Sequence, residues 1–465
     1  MQGIHLLVGI ILARLLLPRQ FGLIGMITIL IAISQSFVDS GFGKALIRKK
    51  TCTQTDYSTV FYFNLAVSLF FYLLLFFGAP AVSSFYNEPQ LKSIIQILGI
   101  GIIINSFSIV QRTQLIKLIE FKLQTKISIL VAIGSGIVSI IMAFSGFGVW
   151  SLITGMLVTY TLRTLLLWFW NKWKPSPIFS VSSFKEMFSF GSKLLIISLI
   201  DTIYRNVYLL IIGKYFSATE LGYYTRADQF KKLPSQNIYK TIQRVSYPVL
   251  STIQDDIPKL KAVYQRLIRS TMFITFILMM GLAAVAKPMI LTLIGEKWLP
   301  SVIYLQLLCF GGMLYPLHAI NLNMLQVLGR TDLFLRLEIV KKILSVPVII
   351  IGVSLGIKAM IIGMIFLSYF SYFINSYYSG KHIGYTSFQQ IKDIFPSFLF
   401  AAITSAIVFI EGQLLNTHFS ITFIIQLMTG SSIVFILAET IKFNDYMFIR
   451  NIVLEKINKN IIPAG

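Results

Sequence analysis

Charge is the scarcest resource in this chain. Only 12% of its 465 residues are Asp, Glu, Lys or Arg, against 56% hydrophobic and 14% aromatic. A soluble protein of that length would divide into two or three domains, and this much charge cannot clothe even one of them. Acids are the rarer sign, 18 Asp and Glu against 40 Lys and Arg, for a formal net charge of +22. Cysteine is nearly absent: Cys52 lies in a basic break and Cys309 in an apolar run, which excludes a disulfide framework and a thiolate metal centre. The four histidines, His5, His318, His382 and His418, show no HExxH or similar spacing, so no metal site is expected from them. Paired carboxylates, a nucleophile with its base and a glycine-rich phosphate loop are also lacking, which argues against an enzyme. Gly99-Ile100-Gly101 falls inside an apolar run, where close helix packing accounts for it. No cleavable signal is evident, because the first apolar run leads straight into others.

What is present is a succession of apolar runs with short polar breaks. A span needs about 20 apolar residues at 1.5 Å each. That ruler places segments near 1–17, 21–41, 57–79, 91–113, 121–144, 149–170, 186–213, 222–250, 264–294, 301–327, 333–357, 359–380, 394–411 and 419–440. The expected fold class is an all-α polytopic membrane protein of about 14 transmembrane helices. The first segment is short, with only Met1–Leu17 before Pro18, as expected of a helix whose beginning lies outside this chain. Lys and Arg are spread through the breaks instead of forming one patch, so they read as topogenic charge, with no nucleic-acid partner. Placing the Gly43–Asp56 break, with Lys44, Arg48, Lys49 and Lys50, in the cytoplasm puts most of the 40 basic residues there. An even number of spans then leaves both termini cytoplasmic.

The stretch from Ser198 to Leu250 departs from this pattern. Ser198, Asp201, Arg205 and Tyr208 recur at spacings of three and four, so they share one helical face. After a break at Lys214–Leu221, Thr225, Gln229, Lys232, Gln236, Lys240 and Gln243 form a second polar face, opposite Tyr223, Ala227, Phe230, Pro234, Ile238, Ile242 and Val245. A polar-faced helix in an apolar protein predicts a water-filled cavity.

An internal repeat organises the rest. The run from Ala13 to Gly22 aligns with Gly213 to Gly222, Leu91–Ile95 with Leu299–Ile303, Phe121-Lys122 with Gly329-Arg330, and Phe147–Val149 with Leu355–Ile357. The simplest account is an N-terminal six-helix lobe over 1–180, a C-terminal six-helix lobe over 181–385, and two extra transmembrane helices with a cytoplasmic tail over 386–465. Copies with an even number of spans enter the membrane from the same side and are related by an axis along its normal. The repeat sets Gln35 and Asp39, one turn apart with Ser36 beside them, opposite the polar second-lobe helices.

Several stretches resemble a known family. Val8–Pro18, Phe21–Met26, Asp39–Phe42, Gly146–Leu152 and Gly222–Ala227 are similar to Wzx-type polysaccharide-transport flippases of the multidrug/oligosaccharidyl-lipid/polysaccharide (MOP) superfamily. The branch resembled is that of the colanic-acid and teichuronic-acid-type exporters, and the resemblance covers nearly the whole chain. Family members usually begin with more of the first helix, including charged residues that this chain lacks. The resemblance implies a V-shaped pair of six-helix lobes in the bacterial cytoplasmic (inner) membrane. It implies alternating access that flips an undecaprenyl-diphosphate-linked oligosaccharide outward. The implied partners are that lipid-linked oligosaccharide, membrane lipids, and the glycan polymerase and glycosyltransferases of the same pathway. No cofactor is implied beyond H+ or Na+ coupling. The alternatives are a cation-coupled multidrug exporter of the same superfamily, which would call for acidic cavity residues, and a polyprenyl-linked polymerase or glycosyltransferase, which would call for a substantial outer loop.

A diphosphate cargo gives the mid-span cations a role, since Arg and Lys pair with phosphate oxygens. Arg205, Arg226 and Lys232 are the candidate phosphate contacts, with Gln229, Gln236 and Gln35 for sugar or phosphate. Lys231 and Lys232 are adjacent, so only one points inward, and Lys232 shares the Gln229–Gln236 face. Lys240 and Arg244 suit the cytoplasmic mouth, Arg14 snorkels, and Trp168, Trp170 and Trp173 read as an interfacial belt. Asp201 and Arg205 are one turn apart, and mutual neutralisation is the competing reading for that pair. Asp39 and Asp201 are the candidate cation-coupling residues. Replacing Asp39 by Asn is therefore expected to change how glycan export responds to an imposed proton or sodium gradient. Export insensitive to both gradients, before and after the change, would remove that role.

Overall fold

The computed structural model describes residues 2–461, and every regular element among them is helical. In chain order these are α1 (Gln2–Leu15), α2 (Pro18–Asp39), α3 (Phe42–Arg48), α4 (Gln54–Tyr86), α5 (Gln90–Lys117), α6 (Phe121–Phe144), α7 (Val149–Asn171), α8 (Val181–Tyr215) and α9 (Ala218–Ser251). There follow α10 (Ile257–Ala284), α11 (Ala286–Leu293), α12 (Ser301–Gly312), α13 (Tyr315–Val327), α14 (Thr331–Leu355), α15 (Ile357–Ile383), α16 (Ser387–Leu414), α17 (Phe419–Thr440) and α18 (Asn444–Ile461). Each expected segment corresponds to one helix, or to a helix broken once, as α2–α3, α10–α11 and α12–α13 are. Among the described residues, 11 helical stretches are long and apolar enough to cross a membrane. The short apolar α1 and the charged α9 and α14 account for the remaining segments. Arg336, Glu338, Lys341 and Lys342 interrupt the apolar run of α14.

Helix starts follow local chemistry. At α4, Thr53 Oγ1 accepts from the Asp56 N–H at 3.2 Å while Asp56 Oδ2 accepts from the Thr53 N–H at 2.9 Å, a reciprocal cap of two orphan donors. Thr386 and Gln389 repeat the arrangement at α16. Lys49, in the break before α4, bridges Asp56 at 3.1 Å and Glu186 of α8 at 2.9 Å, so one residue of the basic break is also an ion-pair hub. Inside the spans, hydroxyls such as those of Thr59, Ser135 and Thr275 return their protons to the carbonyl four residues back. Polar residues are thereby satisfied without leaving the helix.

The chain forms two compact units, one through Thr225 and one from Arg226 onward. In the first, α4 packs on α5, α6 on α7, α5 on α7, and α2 on α8. In the second, α10 packs on α16 and α18, α14 on α15, α12 and α13 on α15, and α17 on α16 and α11. Division by contact and division by repeat answer different questions. The repeat says which elements correspond. The contacts place α8 with the helices of the first unit.

Within the first unit, Gly22 and Gly222, set opposite each other by the repeat, meet in space. A Cβ on Gly22 would fall 1.6 Å from the carbonyl oxygen of Ala218, and one on Gly222 would fall 2.0 Å from that of Pro18. Pro18 and Ala218 are themselves aligned, so the contact is reciprocal, as a local two-fold demands. Because the clashing atoms are backbone, rotamer change cannot relieve them. We expect Gly22→Ala or Gly222→Ala to lower the melting temperature in detergent through a loss of about 1–3 kcal/mol. Gly281→Ala, with nothing within 4 Å of the new methyl, should leave it unchanged. Equal melting temperatures for all three would show that the crossing is not tight.

Candidate functional site

Among the described residues, one cluster of ionisable side chains in each unit bears on the candidate site. In the first, the centre is the C-terminal half of α2. Gln35 Nε2 donates to the Tyr160 hydroxyl of α7 at 2.8 Å, and Ser36 Oγ lies 3.2 Å from Thr202 Oγ1 of α8. One turn on, Asp39 interacts electrostatically with Arg112 of α5 and Lys44 of α3. Arg112 in turn acts on Arg163 of α7, which also senses Tyr160. Gly43 allows the close approach: a methyl there would sit 3.1 Å from Asp39 Oδ1 and 3.2 Å from Thr113 Oγ1.

Arg112 lies five residues before the end of α5 at Lys117 and Arg163 eight before the end of α7 at Asn171, roughly 8 and 12 Å along the axis at 1.5 Å per residue. Both lie within candidate spans. Arg112 and Arg163 act on each other electrostatically, and such an excess of positive charge suits an anionic ligand. Sequence reasoning missed this arginine pair. The signal was available, since an Arg inside an otherwise apolar span is functional by default.

In the second unit the cluster lies on α9. Arg226 is buried, with 8% of its surface exposed. Its Nη1 donates to Gln229 Oε1 at 2.6 Å, and its guanidinium lies 5.8 Å from the Trp298 ring centroid. Asp228 holds Lys231 at 2.8 Å and also pairs with Lys232. Lys231 runs against Gly312 of α12, its Cδ 2.9 Å from where a Cβ would stand, whereas Lys232 is half exposed. The apolar face expected opposite them packs inward at Ala227 and Phe230.

The other candidates fall as follows. Arg205 Nε lies 2.8 Å from Asp201 Oδ2 on α8, with both side chains more than half exposed. Gln236 is partly exposed two turns beyond Gln229, and Lys240 is exposed. Trp168 Nε1 donates to the Phe107 carbonyl at 2.9 Å, and Trp173 Nε1 to Gln54 Oε1 at 2.7 Å, so each indole ties its segment to a neighbouring helix. Among the described residues, no three His, Cys, Asp or Glu side chains converge to hold a metal ion.

A family model described as polysaccharide biosynthesis protein matches residues 11–303. Teichuronic acid biosynthesis protein TuaB of Bacillus subtilis (strain 168) is 27% identical over 302 residues, which cover 64% of this chain and 62% of TuaB. That match spans less than two thirds of TuaB. Lipopolysaccharide biosynthesis protein WzxC of Escherichia coli (strain K12) is 26% identical over 378 residues, 79% of this chain and 77% of WzxC. Among solved structures, the lipid II flippase MurJ in an inward closed conformation superposes with a TM-score of 0.76 at 15% identity, covering 96% of this chain and 97% of MurJ. An inward-facing multidrug resistance MATE family transporter of the MOP superfamily gives 0.65 at 16% identity, over 83% and 95% of the two chains. At those identities the two structures establish a shared fold.

The Asp228 carboxylate is what makes two adjacent lysines tolerable at this depth. Replacing it by Asn should destabilise the folded protein by on the order of 3 kcal/mol, because Lys231 would keep its burial and lose its counter-ion. Lys232→Met, which removes the more exposed partner, should cost far less. Thermal unfolding in detergent compares them, and equal melting temperatures would contradict the assignment.

Proposed function

The chain belongs to the polysaccharide biosynthesis protein family, and from that premise we propose that it is a flippase for polyprenyl-diphosphate-linked oligosaccharide. It is a multi-pass membrane protein whose family works in polysaccharide biosynthesis. The observation that carries the proposal is a pair of cationic clusters, Arg112 beside Asp39 with Arg163 acting on Arg112 in one unit and Arg226 with Gln229 in the other. Moving a diphosphate through hydrocarbon is costly because the charge loses its hydration. Fixed guanidinium groups replace the lost water with charge-assisted hydrogen bonds and need no reorganisation as the cargo arrives. Gln35, Gln229 and Gln236, each both donor and acceptor, suit sugar hydroxyls. On this reading Arg205 acts at the edge of the path, held by Asp201, and Lys232 supplies a movable cation.

The proposed setting is the bacterial cytoplasmic membrane, with both termini inside and release of cargo outward by alternating access. The proposed lobes are those of the repeat, 1–180 and 181–385, followed by the helices of 386–465. The cargo comes from membrane glycosyltransferases and is consumed by a polymerase of the same pathway. A drug exporter on this fold would favour an acidic lining for cationic substrates. Arg112 and Lys44 against the one Asp39 carboxylate argue against that cargo.

Arg112→Ala, Arg163→Ala and Arg226→Ala are each expected to reduce surface glycan display by about tenfold or more, with unchanged protein level in the membrane. Arg205→Ala should have a smaller effect. The corresponding cells should accumulate lipid-linked oligosaccharide, which mass spectrometry identifies. Undiminished display and no accumulation in all the variants would overturn the proposal.

A further inference from the structure

The turn between α5 and α6 holds a residue that its backbone does not favour. α5 ends in a Schellman turn: the Glu120 N–H reaches the Leu115 carbonyl at 2.9 Å and the Ile119 N–H that of Ile116 at 3.1 Å. Such a turn puts its middle residue in the left-handed region, where glycine is usual and a β-branched side chain is an outlier. Here that residue is Ile119, at φ +62°. The same turn closes α13, with the Arg330 N–H on the Leu325 carbonyl at 2.8 Å and the Gly329 N–H on that of Gln326 at 3.0 Å. There the residue is Gly329, at φ +71°. Hydrogen bonding thus sets Ile119 opposite Gly329, two residues out of step with the sequence alignment. One copy of the repeat uses the residue its turn favours, and the other carries strain.

Packing within the chain does not offset that strain. Ile119 is 70% exposed, Leu118 68% and Phe121 59%, so none of the three supports the core. Charge departs from the second copy at the same place. Three residues after Gly329 stands Asp332, paired with Arg330 at 3.0 Å, whereas three residues after Ile119 stands the exposed Lys122. One turn further, Lys126 Nζ lies 5.0 Å from the ring centroid of Trp170 on α7, and exposed Lys172 follows two residues beyond that indole. Glu120 is the one acid of the turn. Lys117 is engaged elsewhere, donating to the Leu46 and Lys49 carbonyls at 3.1 and 2.5 Å.

Depth follows from α6. Leu130, Ile133, Ile137, Ile141 and Phe144 form its exposed apolar stripe, and Lys126 and Lys122 continue that stripe at four-residue spacing. Lys126 lies eighteen residues before Phe144, roughly 27 Å along the axis, against about 30 Å of hydrocarbon. The lysines therefore stand at the edge of the hydrocarbon, with the apolar turn level with the headgroups. α7 packs on α6, and its Leu165 and Phe169 are exposed on the side away from Arg163. The wall beneath the lysines is thus apolar on both helices and separate from the path proposed for cargo.

We propose that the α5–α6 turn and the adjoining faces of α6 and α7 form a binding site for an anionic phospholipid of the bilayer. Lys122 and Lys126 hold its phosphate, Ile119 and Phe121 cover its glycerol region, and its acyl chains lie on Leu130, Ile133 and Phe169. A cationic rim over an apolar wall is the charge complement of such a lipid, whereas a zwitterionic lipid would bring its own cation against the lysines. On the proposed topology the lipid belongs to the cytoplasmic leaflet. The site needs only a membrane and does not rest on the flippase reading.

The test is native mass spectrometry of the full chain in detergent, titrated with phosphatidylglycerol or phosphatidylcholine. Phosphatidylglycerol should bind more tightly, and Lys122→Gln and Lys126→Gln should each weaken it about fivefold. Ile119→Asn removes the apolar contact and tolerates the left-handed backbone. It should weaken phosphatidylglycerol severalfold, while the melting temperature in lipid-free detergent stays level or rises. Arg330→Gln and Arg336→Gln, at the matching turn of the second unit, should leave the affinity unchanged. Equal affinity for the two lipids, or losses no larger in the α6 variants than in the α14 ones, overturns the site. A lower melting temperature for Ile119→Asn would show that the side chain serves the fold, and overturns its part in lipid contact. Undecaprenyl phosphate that displaces phosphatidylglycerol from these lysines at lower concentration would assign the position to a polyprenyl lipid and overturn the proposal.

Discussion

Hydrocarbon cannot solvate charge, and the organisation of this protein follows from that constraint. Charged residues are few, and within the spans they occur in clusters. Each cluster contains its own partial compensation: Asp39 beside Arg112 and Lys44, Asp228 between Lys231 and Lys232, Gln229 on Arg226, Glu338 on Lys341. Compensation is incomplete where cargo is proposed to pass, since a fully neutralised site would have nothing left to offer a diphosphate. Elsewhere a charge pair lies apart from the proposed path, as at Asp445, which meets Arg269 at 3.2 Å and accepts from Ser397 at 3.1 Å. The distinction between a functional and a structural charge here is one of local excess.

Close packing of helices supplies the rigidity such clusters need. The reciprocal contact of Gly22 and Gly222 brings the first turns of α2 and α9 within van der Waals reach of each other's backbone. From there α2 runs to Gln35 and Asp39, and α9 runs to Arg226 and Gln229. Within the first unit, the residues that begin α2 thus also fix the helix that carries Gln35 and Asp39. A repeat of the chain explains why the same device serves both.

Much of the fold was legible before the coordinates. Apolar length located every span, because the bilayer sets that length independently of sequence detail. Apolar length alone does not show helix breaks inside spans: that between α12 and α13 is marked instead by Gly311-Gly312 and by Pro316 in the first turn of α13. The polar face of α9 carries Gln229, which accepts from Arg226, whereas Asp201 and Arg205 of the α8 face pair with each other and are more than half exposed. Periodicity alone could not tell Lys231 from Lys232: the burial of Lys231 is decided by Gly312, more than eighty residues away in the chain. The Arg112–Arg163 pair was hidden for a related reason. Arg163 is the single charge of α7 and Arg112 stands between the basic ends of α5, Lys92 and Lys117, and the pairing shows only in the packing of α5 on α7.

The central claim is that the Arg112–Arg163 face lines a water-filled path taken by an anionic lipid-linked glycan. Its most direct measurement is thiol accessibility, with single cysteines at positions 35, 112 and 163 in a chain whose Cys52 and Cys309 have been replaced. All three should react with a charged, membrane-impermeant thiol reagent, and lipid-linked oligosaccharide should slow that reaction. Cysteines that stay unreactive, or react equally fast with and without the glycan lipid, would contradict the account.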